Sequence, residues 1–141
     1  MKRIRITFLL SLFIGAFLLS ACASVPKTII SSSDVSVLKG QWEGARDMIW
    51  GRYRSFDHTV LEIYNDSIPL KGKISIAFMD GTDPREYSFE NGIIDAQGNL
   101  FVQLQMDVRF ILSLYREENK IKMDGYYTHR GNEGRLTLYK R

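Results

Sequence analysis

Leu100, Val102, Leu104, Met106, Val108, Phe110, Leu112 and Leu114 are all apolar, and all occupy even positions. A helix cannot hold such a pattern on one face, because its side chains return every 3.6 residues. A strand returns them every two. The same period runs through Leu70, Gly72, Ile74, Ile76 and Phe78, which alternate with Lys71, Lys73, Ser75, Ala77 and Met79. Shorter runs of the kind cover 60–64, 87–94, 121–127 and 136–138. Clusters of turn-forming residues separate them at 65–67, 80–84, 97–99, 117–119 and 131–134. The expected fold is all-β, an antiparallel meander of seven to eight strands. Closing it, or nearly closing it, into a barrel removes edges that would otherwise pair with other chains.

Four segments leave the strand count open. As one strand, 100–114 would reach about 50 Å at roughly 3.3 Å per residue. A two-residue hairpin near Asp107 would reverse the apolar parity, and no reversal occurs. A long strand bent at Asp107 fits, and so does a three-residue turn. Asn91-Gly92 is a strong hairpin dipeptide, but its flanks are short, which favours a bulge inside one strand. Asp124-Gly125 reads as interior to a strand, since turn signals already lie on both sides. Residues 45–53 read as a short helix or an irregular crossing.

The N-terminus is of a different kind. Lys2, Arg3 and Arg5 precede an apolar run from Ile6 to Leu19, which ends in Leu19-Ser20-Ala21-Cys22. A basic start, an apolar stretch and small residues form a secretory signal. The charge-free stretch from Ile6 to Pro26 is long enough to cross a bilayer, but it ends in Ser, Ala and Cys instead of more Leu or Val. The aliphatic-small-small-Cys pattern resembles the signal of bacterial lipoproteins. That resemblance implies cleavage before Cys22, thioether lipidation of its sulfur and acylation of the new amino group, palmitate-type chains included. Residues 1–21 are then the signal peptide, 22–37 a lipidated, Ser-rich tether, and 38–141 the barrel domain. Cys22 is the only cysteine, so no intramolecular disulfide is possible. Ala23 follows it, where an Asp tends to retain lipoproteins in the inner membrane. A lipid-anchored place in the cell envelope is therefore expected, on the outer membrane facing the periplasm where there are two membranes.

Cleavage also changes the charge. Three of the 19 basic residues leave with the signal, so 16 remain against 16 acidic ones. A neutral domain gives no reason to expect nucleic acid as a partner. Several acyl chains on one cysteine hold a protein stably without a basic patch.

Gly40-Gln41-Trp42 opens the first strand of the domain, and Gly125-Tyr126-Tyr127 and Gly134-Arg135-Leu136-Thr137-Leu138 close it. The Gly-x-Trp start resembles that of lipocalins, where the Trp plugs the closed end of the barrel. The resemblance implies a lipocalin-like barrel in which Gly40, Trp42 and a basic residue of the last strand form that end, with Arg135 placed over the Trp42 ring. The chain departs from lipocalins in lacking a cysteine pair, a Thr-Asp-Tyr motif and a C-terminal helix. Trp42 also reads as an ordinary core aromatic, and both readings put it inside.

Aromatic residues are abundant enough either to line an apolar ligand cavity or to pack the core of a small barrel. Arg46, Trp50, Arg52, Tyr53 and Arg54 interleave cations with rings. Such a segment can grip carboxylates or stack on flat ligands, or it can be an exposed polar rim. It is the candidate surface contact. His58 and His129 are the only histidines and share no metal-ligand spacing. No nucleophile elbow or phosphate-cradling glycine loop is present. Ser113 reads as a polar-face strand residue. Asp80, Asp83, Glu117 and Glu118 fall in turn signals. No catalytic residue, metal ligand or cofactor is expected, and the chain is not expected to be an enzyme. The functional expectation is an envelope lipoprotein whose barrel binds a small apolar or amphipathic ligand or a protein partner. Its rival is a structural or assembly accessory with a filled barrel docked on another envelope protein.

Overall fold

The computed structural model describes residues 26–78, 81, 83–117 and 119–141. The signal segment and Cys22 therefore lie outside the described residues, as do Asp80 and Glu118. Among the described residues there are nine strands: β1 (Lys27–Thr28), β2 (Gly40–Trp50), β3 (Tyr53–Ile63), β4 (Leu70–Ala77), β5 (Arg85–Ile94), β6 (Leu100–Gln105), β7 (Val108–Glu117), β8 (Lys120–His129) and β9 (Asn132–Lys140). Strands β2 to β9 pair antiparallel in sequence order. The pairing of β9 with β2 closes the ring, and β1 adds to β7 outside it. The fold is thus an eight-stranded meander barrel, all-β as the period of two requires.

Alternation decides which side chains fill the barrel. Trp42, Leu61, Ile63, Leu70, Ile74, Ile76, Leu100, Val102, Phe110, Leu112, Leu114, Leu136 and Leu138 are buried, while their sequence neighbours face outward or are half-covered. Phe89 and Phe110 meet edge to face, 6.0 Å between centroids. That is a favoured aromatic geometry. Gly125 faces inward on β8. A Cβ there would collide with the carbonyl oxygen of Ile111 on β7, so only glycine lets these two strands approach.

The segment 100–114 is not one bent strand. Met106-Asp107 forms a two-residue turn between β6 and β7. Gln103 pairs with Arg109, but Gln105 pairs with Val108, so Leu104 is an extra residue opposite the step. This bulge absorbs the parity change that a two-residue hairpin demands. Even positions therefore face inward on both arms, and Met106 is left fully exposed at the tip. Asn91-Gly92 is also a bulge: β5 runs through it, with the irregularity opposite Leu70–Gly72 of β4. Asp124-Gly125 lies within β8. Residues 45–53 are neither helix nor irregular crossing. They complete β2, turn at Gly51-Arg52 and begin β3, because Arg46, Met48 and Trp50 continue the inward parity that Trp42 starts.

The folded unit starts earlier than Leu38. Strand β1 pairs with Leu114 and Tyr115, where β7 extends beyond β6 and would otherwise show a free edge. Ile30 and Val35 are buried, and a helical turn α1 (Val35–Leu38) lies over the end of the barrel where β2 begins. The Lys27 ammonium donates to Gln97 O at 3.1 Å and Asn99 Oδ1 at 2.5 Å. Residues 27–37 are thus packed on the barrel and are not a free tether. Three apolar side chains, Ile30, Val35 and Leu38, give this stretch enough buried surface to order it.

Candidate functional site

The two barrel ends differ. At the closed end, the Trp42 side chain is fully buried and its indole N–H donates to Leu38 O at 2.8 Å. Gly40 opens the strand there with φ of 115°, a conformation that glycine adopts without strain. The cation over the Trp42 ring is Lys140, 5.6 Å from its centroid. Arg135 is not there. It pairs with Asp47 in the register of β9 against β2, five residues along β2 from Trp42. It lies on the outer face, in a bidentate ion pair with Asp124. The reason is parity: Leu136 and Leu138 face the core, so Arg135 must face out, whereas Lys140 sits at the strand end, where its long stem can fold over the rim. Asp124 also accepts from Thr137 Oγ1 at 3.0 Å, and the Arg135 guanidinium holds its carboxyl below the usual range.

At the other end, beside the turns at 51–52 and 130–131, lies an open cleft of about 380 Å³. Its lining includes Arg46, Trp50, Phe78, Arg85, Tyr87 and His129. Arg46 is only 2 % exposed. It lies directly opposite Asp57 in the β2–β3 register, and its Nε and Nη2 both donate to Asp57 Oδ2, at 3.1 and 2.5 Å. Ser55 Oγ donates to the same oxygen at 3.1 Å. The guanidinium lies between two rings, 4.9 Å from the Tyr127 centroid and 5.5 Å from that of Phe78. A buried charge is tolerable only when paired and hydrogen-bonded, and here the pairing is built into adjacent strands.

Trp50 and His129 meet edge to face at 5.3 Å. Burial, aided by the Arg130 charge, pushes the His129 pKa below its ordinary 6.5. The folded protein therefore binds this proton less readily than the unfolded chain does. Stability should be complete above about pH 6.5 and fall as the pH drops from there through the depressed value. Urea melts at pH 7.5 and 5.5 should show a lower midpoint at pH 5.5 in the native chain and a smaller difference in His129→Gln. An equal difference in the two would place the titration elsewhere.

Of the segment singled out in the sequence, Arg46 and Trp50 belong to the cleft and Tyr53 stands at its rim, 80 % exposed. Arg46 is therefore an interior group and not a surface contact. Arg52 is exposed in the turn. Arg54 is on the outer face, stacked on Phe56 at 4.6 Å and paired with Asp47. His58 is on the outer wall, bonded to Glu43 at 2.8 Å, and shares no cleft with His129. Among the described residues, no group of three metal-ligating side chains occurs, and no helix is long and apolar enough to cross a membrane. Phe78, Tyr87 and Tyr127 are among the aromatic residues able to line a cavity, whereas Arg85 and Asp57 carry no such mark, although the inward parity of Tyr53, Ser55, Asp57, Thr59 and Leu61 on β3 holds the signal for Asp57. No family model matches the chain, and no curated protein matches it significantly.

Proposed function

We propose that the protein is a lipid-anchored envelope lipoprotein whose barrel binds a small amphipathic ligand in the open-end cleft. The observation that carries this reading is the buried Arg46–Asp57 pair at the floor of an aromatic-lined opening. Apolar walls around a few fixed polar groups are the usual make-up of a small-molecule site. The rest of the barrel is filled by side chains, so the ligand occupies the mouth and not the axis.

On this reading the anchored end is the one opposite the cleft. Cys22 precedes Lys27 by five residues, a reach of at most about 18 Å. Lys27 is fastened beside Tyr115, near the closed end. A lipidated Cys22 therefore holds the closed end toward the bilayer and turns the cleft toward the aqueous side. The expected address remains the outer membrane in a two-membraned organism.

Two experiments test this. Metabolic labelling with a fatty acid should mark the native chain and not Cys22→Ser, and continued labelling of the serine variant would remove the anchor from the account. Mass spectrometry of molecules retained by the purified chain from an envelope extract should find a small amphiphile. Retention of a protein alone would favour the docking reading, for which exposed Ile49 and Tyr126 on the outer wall offer a surface.

A further inference from the structure

We infer that the ligand of the open-end cleft is a compact organic carboxylate with a flat apolar body, its charge held by Arg85 and Arg46. This rests on the ligand-binding reading and gives it a chemical class. Among the described residues, the acids that pair with the cleft's cations are already engaged. Asp57 accepts from Arg46 and Ser55, and Asp107 lies 3.9 Å from Arg130. Arg85 has no ion pair among the described residues. Its guanidinium lies 5.2 Å from the centroid of the Phe78 ring, and that of Arg46 lies 5.5 Å from the same centroid. Arg46 directs Nε and Nη2 to Asp57, and its Nη1 makes no hydrogen bond to a described residue. Two guanidinium groups near one aromatic ring of the cleft, each with donors unpaired among the described residues, complement a carboxylate.

The Tyr127 hydroxyl points to the same place. It is buried and has no hydrogen-bond partner among the described residues. The groups acting on it electrostatically are Arg46, Tyr87 and Arg85, all of the cleft. Arg46 is near, but its guanidinium stacks on the ring and does not meet the oxygen in hydrogen-bond geometry. A buried hydroxyl left unpaired calls for an explanation, and an acceptor oxygen entering between Arg46 and Arg85 supplies one. The body of the ligand is short and flat because the cleft holds only about 380 Å³ and its upper walls are Trp50, Phe78 and Tyr87. A long acyl chain has no passage into the filled barrel.

The full chain in nanodiscs of neutral phosphatidylcholine would be titrated with 2-naphthoate and with 2-naphthalenemethanol, of the same shape without the charge. The acid should bind at least about tenfold more tightly, the discrimination of one charge-assisted hydrogen bond. Arg85→Gln and Tyr127→Phe should each weaken the acid several-fold and leave the alcohol unchanged. Thermal melts of both variants should match the native chain, since neither side chain makes a hydrogen bond or ion pair to a described residue. Equal affinity for acid and alcohol, or acid binding unaltered in both variants, overturns the charge assignment and leaves the cleft as a ligand site. Binding of neither compound overturns both readings.

Discussion

Replacing Trp42 with alanine is expected to lower the unfolding free energy by about 3–5 kcal/mol. The ring is fully buried at the closed end, and its N–H bond to Leu38 O ties α1 to the barrel. Both the transfer of the ring and the cavity left behind count, and the site cannot collapse easily because β2 is held on both sides by β3 and β9. Arg135→Ala should cost far less, about 0–1 kcal/mol, since it removes a mostly exposed partner of Asp124. Lys140→Ala should cost about 0.5–1 kcal/mol for the cation over the ring. Denaturant melts of the three variants give the ranking. A Trp42→Ala loss below that of Lys140→Ala would contradict the closed-end plug.

The second large effect concerns the pair under the cleft. Arg46→Met alone should cost about 3–5 kcal/mol, because it leaves the Asp57 carboxylate buried without its cation. The double variant Arg46→Met/Asp57→Leu should recover most of that loss, since an apolar pair of similar volume removes both desolvation penalties. The energy of the pair therefore appears as non-additivity. Equal losses in the single and double variants would mean that the two charges are not coupled. If the double variant is stable yet no longer retains ligand, the ion pair is kept for binding and not for folding.

The barrel is legible in the sequence because a period of two over six segments leaves few alternatives. Register was less legible. The apolar parity of 100–114 is unbroken, yet the Leu104 bulge that makes a hairpin compatible with it leaves no mark on an apolar run. The stretch 23–37 reads as a tether because serine is dense in it and no helical period appears. Ile30 and Val35 are nonetheless enough to dock it once β7 offers an edge. The same limit applies to the site. Arg46 was noticed for its aromatic neighbours, but an arginine in a strand is ordinarily taken to face solvent. Extending the inward parity of Trp42 and Met48 through residue 46, and of Leu61 back to Asp57, finds the ion pair directly. Phe78, just after β4, and Arg85 and Tyr87 on β5 are brought to Arg46 and His129 only by the closed ring. Arg135 was misplaced over Trp42 because the lipocalin resemblance supplies a role but not the parity of β9.

The two tryptophans are eight residues apart on β2, about 26 Å along the strand, and so report on opposite ends. The most direct test follows their indole N–H resonances in the full chain, in neutral nanodiscs, as the molecules retained from an envelope extract are added. The Trp50 signal should shift and saturate while that of Trp42, bonded to Leu38 O, stays in place. A shift of Trp42 alone, or of neither, would contradict a ligand in the open-end cleft.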